Sequence, residues 1–157
     1  MGYVVPTDRS LPVEDFAIGY SDAVVQCKTA YDILRLLKQM TADLGFRHFA
    51  VFRLPSDHGD DFADVSLISN WPPELVRAYD EHRLFPGSPL VAALRCTTLP
   101  LSWDLEAINT DRKDGADDLS VALFRKFGLL AGTCFPVHDV RGRRGAVSFA
   151  GEREACS

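Results

Sequence analysis

The feature that most restricts the fold is a change of hydrophobic period at Gly45. Before it, Ala30, Ile33, Leu34, Leu37, Met40 and Leu44 recur at the three- and four-residue spacing that lines one face of a helix. After it, Phe46 to Leu54 is rich in aromatic and β-branched residues and closes at Pro55, as a strand does. Thr29-Ala30-Tyr31-Asp32 supplies a capping box at the helix start, and Gly45 a left-handed stop at its end. A helix that is apolar on one side only must pack that side on something, and the next element in the chain is a strand.

The alternation continues. Asp64 to Ser69 reads as a second strand, paired with the first across the acidic loop Asp57-His58-Gly59-Asp60-Asp61. Asn70-Trp71-Pro72-Pro73 opens a helix running to Leu84 with Leu75, Ala78, Tyr79 and His82 on one side, since proline is tolerated in a first turn. Ser88-Pro89 starts a short helix through Arg95, and Thr97 to Trp103 is extended. Asp104 to Asp118 is polar and reads as loop. Asp117-Asp118 then begin a helix with Leu119, Leu123, Phe124 and Phe127 inward and Gly128 as its stop. Leu129 to His138 and Ala146 to Ala150 form a final strand pair around the turn Arg141–Gly145, and a shorter helix over Val13 to Gln26 precedes the first one. The expected fold class is therefore α/β (α+β): an α/β/α sandwich with an antiparallel sheet of about five strands and helices on both faces. Residues 1–12 are expected to be a flexible N-terminus and 13–157 one domain.

Composition narrows the function classes. The 157 residues, 46% of them apolar, suit one domain with one core. Seventeen Lys and Arg against 22 Asp and Glu leave a net charge of −5, which argues against nucleic-acid contact by this chain. The longest apolar run is Leu90 to Leu94, far short of the roughly 18 residues a membrane span requires, and no signal peptide is visible. A cytoplasmic location with no membrane contact is expected. Cys27, Cys96, Cys134 and Cys156 form no CxxC pair, so neither a zinc knuckle nor a redox motif is present.

Catalytic arrangements are sparse. Cys134 and His138 are the nearest Cys/His pair, but four residues of strand span about 13 Å, too far for a thiol–imidazole hydrogen bond. The acidic loop at 57–64 lacks the calcium-loop spacing, and no GxGxxG, Walker lysine, GxSxG or HExxH occurs. No enzyme, metal or cofactor is expected. What stands out is a set of polar-tipped side chains inside apolar segments: Trp71, Tyr79, Ser88, Trp103 and Ser148. Their N–H and O–H groups need partners when buried, so they fit either a pocket for a small amphipathic ligand or a core in which the partners are internal.

Asn70-Trp71-Pro72, Tyr79-Asp80, Ser88-Pro89, Leu99-Pro100-Leu101-Ser102-Trp103, Phe124 to Gly128, Phe135-Pro136 and Gly142 to Ser148 occur in an order that resembles the N-terminal autoinducer-binding domain of LuxR-type quorum-sensing transcription regulators. The likeness covers roughly residues 13–152. It implies a GAF/PAS-like sensor fold in which an acyl-homoserine lactone lies between sheet and helices. By position, the resemblance places Trp71 at the aromatic site that reaches the ligand amide carbonyl, and Ser148 at the small hydroxyl residue of the last strand. Tyr79 and Trp103 match the family pattern directly. Phe52, Val91, Phe124 and Cys134 complete the implied lining, with Phe52 and Phe124 large enough to shorten or fill the acyl cavity.

Two positions depart from the pattern. Leu75 stands where the family holds a Trp that donates to the lactone carbonyl, and Ser88 where it holds an Asp that accepts the amide N–H. A charge-assisted hydrogen bond is worth roughly 1.5–3 kcal/mol and a neutral one nearer 1, so an altered small signal is expected in preference to a standard lactone. Ser88 also serves as a helix N-cap whether or not a ligand is present. The resemblance further implies a homodimer, or a heterodimer with a LuxR-type regulator, and no DNA-binding domain lies in this sequence. The alternative it leaves open is a ligand-independent short form that inhibits a full-length regulator by heterodimerising with it.

Overall fold

The computed structural model describes residues 5–6, 20, 22–56, 59–110, 112 and 115–152. The elements in chain order are β1 (Val5–Pro6), a helical stretch at 22–26, α1 (Ala30–Asp43), β2 (His48–Arg53), α2 (Phe62–Val65), β3 (Ser66–Ser69), α3 (Pro73–Glu81), α4 (Pro89–Arg95), β4 (Leu101–Asp104), α5 (Leu105–Asn109), α6 (Asp117–Lys126), β5 (Ala131–His138) and β6 (Arg144–Gly151). Most of the expected helix at 13–26, the loop tip Asp57-His58 and Cys156 lie outside the described residues.

The strands form one antiparallel sheet in the order β1-β4-β5-β6-β2-β3. Its six strands are the five expected ones plus the two-residue β1 on the edge. The pleat sorts the central strands into two faces. Phe49 and Val51 of β2 and Val147 and Phe149 of β6 lie on one face, where they meet Leu34, Leu37, Met40 and Leu44 of α1. The other face carries Ala50, Cys134, Ala146, Ser148 and Ala150 and is covered by α2 to α6. The expected α/β/α layering is what forms, with α1 on one side and α2 to α6 on the other.

Local chemistry fixes these elements. Thr29 Oγ1 accepts from the Asp32 amide at 3.1 Å, while the Asp32 carboxylate accepts from the Thr29 amide, closing the capping box. Asn70 ties the start of β2 to the end of β3: its Oδ1 accepts from the Phe49 amide at 2.7 Å and its Nδ2 donates to the Arg47 carbonyl at 3.0 Å. Asp80 of α3 accepts from the amides of Phe62 and Ala63 at 2.8 and 3.0 Å, capping α2 from a neighbouring helix. The Arg144 guanidinium donates to the carbonyls of Leu94, Arg95 and Thr97, satisfying the C-terminal end of α4.

Three expectations need correction. The stretch at 62–65 is a helical turn rather than the start of a strand, because Asp61 and Asp80 together cap it. The polar segment 104–118 contains α5, capped by the Asp104 side chain on the Ala107 amide, with Leu105 and Ile108 buried. On α6 it is Ser120, not Leu119, that turns inward: Leu119 is 41% exposed and Ser120 is buried. Smaller differences are the end of α3 at Glu81, which leaves His82 exposed.

Trp103 of β4 pairs with Gly132 of β5, and the indole lies over the glycine. A Cβ at position 132 would fall 2.7 Å from Trp103 Nε1 and 2.5 Å from the Phe149 carbonyl oxygen. Gly132→Ala is therefore expected to cost about 1–3 kcal/mol through overpacking, read as a lower urea midpoint with a changed indole emission as Trp103 moves.

His48 opens β2 with its ring half-buried, and burial, assisted by the neighbouring Arg47 charge, lowers its pKa from 6.5. Above that value the ring is neutral in folded and unfolded chains alike. Below it, the unfolded chain binds a proton that the folded chain resists, so stability falls as pH falls. Thermal melts from pH 7.5 down to 5 are expected to show this decline, with a shallower slope in His48→Gln.

Candidate functional site

On β5 and β6 the inner face of the sheet carries the small side chains of Cys134, Ala146, Ser148 and Ala150, and the helices set aromatic ones above it. Between them lies a cavity floored by Phe52 and Ser148, with Trp103 at the β4 side. Its roof is contributed by Phe62 of α2, Tyr79 of α3 and Phe124 of α6, with Trp71 and Phe85 from the segments flanking α3. These rings hold one another in place. Phe62 stacks on Trp71 with centroids 4.4 Å apart, Phe124 meets Trp71 edge-on at 5.6 Å, and Phe85 meets Phe52 edge-on at 5.7 Å. The enclosed space measures about 50 Å³, well below the roughly 300–1,000 Å³ of pockets that take a drug-sized ligand.

Polar groups are placed within this aromatic shell. Tyr79, Ser88, Asn109 and Arg112 all line the cavity, and Tyr79, Ser88 and Arg112 are in mutual reach. Burial pushes the Tyr79 hydroxyl up to about 12, although the Arg112 cation and hydrogen bonds with Ser88 and Arg112 act in the opposite sense. The phenol therefore stays protonated at neutral pH. The Arg112 guanidinium is 8% exposed and donates to the Leu84 carbonyl. Ser88 caps α4, its Oγ facing the Val91 amide at 3.5 Å. Along the sheet, Ser148 and Trp103 flank Cys134, whose thiol burial pushes up to about 12, so it is no thiolate nucleophile. His138 lies exposed further along the same strand.

Two indoles stand out electrically. The Nε1 atoms of Trp71 and Trp103 are both buried and without a hydrogen-bond partner; the latter lies near the Cys134 sulfur, a weak acceptor. The Asn109 Oδ1 is buried and unpartnered as well. Buried polar atoms are normally satisfied, so three on residues lining a single cavity are unusual.

Of the residues the sequence singles out, Phe52, Trp71, Tyr79, Ser88, Val91, Trp103, Phe124 and Ser148 line the cavity. Leu75 and Cys134 are fully buried but are not part of its lining: Leu75 packs with Leu129 and Ala150, and Cys134 lies in the sheet layer behind Ser148 and Trp103. Sequence reasoning passed over Phe62, Phe85, Asn109, Arg112 and Ser120. A signal for Asn109 was present, since Asp104 followed by Leu105 and Ile108 is an N-cap ahead of a one-sided helical turn. No local pattern marked Arg112.

Comparison with known proteins agrees with this geometry. The autoinducer binding domain family model matches residues 29–157. The transcriptional activator protein LuxR of Aliivibrio fischeri (strain ATCC 700601 / ES114) is 26% identical over 129 residues, covering 82% of this chain and 50% of that protein. The transcriptional activator protein AhyR of Aeromonas hydrophila is 27% identical over 126 residues, covering 80% and 48%. The chain thus spans about half the length of the curated relatives it matches. Among solved structures, the N-acylhomoserine lactone-dependent LuxR family transcription factor CepR2 from Burkholderia cenocepacia superposes with a TM-score of 0.69 at 17% identity, over 92% of this chain and 81% of that one. SdiA in complex with octanoyl-rac-glycerol gives 0.69 at 14% identity, over 95% and 59%. The fold, the ordered motif set and the family match lead to one assignment: the chain belongs to the autoinducer binding domain family of LuxR-type quorum-sensing regulators.

Proposed function

We propose that this chain is the sensing module of a LuxR-type transcription regulator, and that its signal is a compact amphipathic molecule, a short or aryl-bearing relative of the acyl-homoserine lactones. The observation that carries the reading is the aromatic cavity whose lining residues include Trp71 and Asn109, with a buried Nε1 and Oδ1 that lack internal partners, and Trp103, whose Nε1 has only the weak acceptor of Cys134 beside it. A ligand presenting acceptors to the indoles and a donor to the amide removes three desolvation costs at once. Two solved proteins of similar fold, an N-acylhomoserine lactone-dependent factor and SdiA in complex with octanoyl-rac-glycerol, support a ligand with one polar and one apolar end.

The departures at Leu75 and Ser88 bear on which ligand. Leu75 is packed against Leu129 and Ala150 and offers no donor, so recognition of the ligand ring falls to Trp103, Tyr79 and the residues of α5. Phe52, Phe62 and Phe124 occupy the space that a long acyl chain would need, which favours a short tail. Ligand burial stabilises the folded state by mass action, and that gain couples the signal to dimerisation of the regulator.

Thermal melting against butanoyl-, hexanoyl-, dodecanoyl- and benzoyl-homoserine lactones tests the reading. A compound present at a hundred times its Kd adds about 2.7 kcal/mol of stability, a rise of roughly 5–10 °C in a domain of this size. The short and aryl compounds are expected to give that rise and the dodecanoyl compound to give little. No shift with any of them removes the sensor reading.

Cavity size supplies a second test. Phe124→Ala opens the roof at a cost of about 3 kcal/mol in stability, and is expected to move the preference from butanoyl towards the dodecanoyl compound in the same melts.

A further inference from the structure

We propose that Asn109 supplies the hydrogen-bond acceptor for the ligand's amide N–H, a role that the residue at position 88 no longer fills. The inference rests on the ligand-sensing reading above and names the residue of α5 that sets its specificity.

The amide of Asn109 has its two ends in different circumstances. Nδ2 donates to the Leu105 carbonyl at 2.8 Å, one turn back in α5, which fixes which end is nitrogen and which is oxygen. Oδ1 is buried and has no partner, in a residue only 4% exposed that lines the cavity. A purely structural role at the end of a short helix accounts for Nδ2 and leaves Oδ1 unexplained. A side-chain carbonyl without solvent or a donor carries a desolvation cost that a ligand N–H would remove.

Position 88 does not compete for that N–H. The Ser88 hydroxyl faces the Val91 amide and takes part in a hydrogen bond with the Tyr79 hydroxyl, so both of its neighbours are internal. Asn109 and Arg112 line the same cavity as Tyr79 and Ser88, and Arg112 reaches the Tyr79 hydroxyl. A ligand amide there meets an acceptor in Asn109, and its carbonyl has donors in the surrounding shell. The selected class is a secondary amide with a small acyl or aryl group.

The test compares two probes that differ in one N–H: N-butanoyl-L-homoserine lactone and its ester counterpart, α-butanoyloxy-γ-butyrolactone, titrated calorimetrically. The unmodified chain is expected to bind the amide about tenfold more tightly than the ester, Asn109→Ala to bind the two equally, and Ser88→Ala to keep the tenfold preference. Asn109→Asp retains an acceptor and is expected to retain the preference, which keeps the test decisive if Asn109→Ala does not fold. Equal binding of the two probes by the unmodified chain overturns the role of Asn109 while leaving ligand sensing intact. So does a preference that survives in folded Asn109→Ala or disappears in Ser88→Ala. Binding of neither probe overturns the inference, while the melts with the four lactones decide the sensor reading separately.

Discussion

The site depends on a mismatch in side-chain size between the sheet and the helices above it. In register across β5, β6 and β2, the inner face presents Gly132 beside Ala150, Cys134 beside Ser148, and Ser148 beside Ala50. Residues this small leave a shallow floor, and the helices answer with Phe62, Trp71, Tyr79, Phe85 and Phe124. Large rings held edge to face tile poorly over a flat floor, and the residual space is the cavity. The opposite face of the same strands carries Phe49, Phe149, Val51 and Val147 and packs directly against α1. One strand pair thus makes a packed layer on one side and a chamber on the other, simply by alternating large and small residues.

Much of this was legible because it is periodic or punctuated. The stripe from Leu34 to Leu44, the capping box at Thr29 and the Ser88-Pro89 helix start are local signals, and local hydrogen bonds fulfil them. The polar end of the cavity was not legible in the same way. Asn109 and Arg112 lie in a stretch whose composition reads as solvated loop, and Arg112 is held in the interior by the carbonyl of Leu84, distant in sequence. A buried arginine or asparagine leaves no periodic trace, since its burial is decided by partners distant in sequence. Capping across elements is similarly hidden: the helical turn at Phe62 exists because Asp80, 18 residues on, accepts its amide hydrogens.

Electrostatics limits what the chamber can do. Tyr79 and Cys134 are both pushed up to about 12, so neither ionises near neutral pH. A neutral phenol and a neutral thiol beside indoles and an amide form a set of hydrogen-bonding groups with no activated nucleophile among them. Such groups offer shape and donor–acceptor order for recognition. The relatives matched over most of this chain are transcriptional activators, in keeping with a chamber that binds rather than reacts.

The unpartnered atoms then acquire a thermodynamic meaning. Each buried donor or acceptor without a partner costs about 1–3 kcal/mol, and domains of ordinary size are stable by only about 5–15 kcal/mol. Two indole N–H groups and one amide oxygen on one cavity therefore take a substantial part of the available stability. A ligand that satisfies them returns that stability only while it is bound. Filling the floor with larger side chains and giving the indoles internal acceptors would produce a firmer domain with no signal dependence. In the sensing role proposed for this chain, the small floor and the unpartnered polar atoms act together: the gap would admit the ligand and the missing partners would make its arrival matter to the fold.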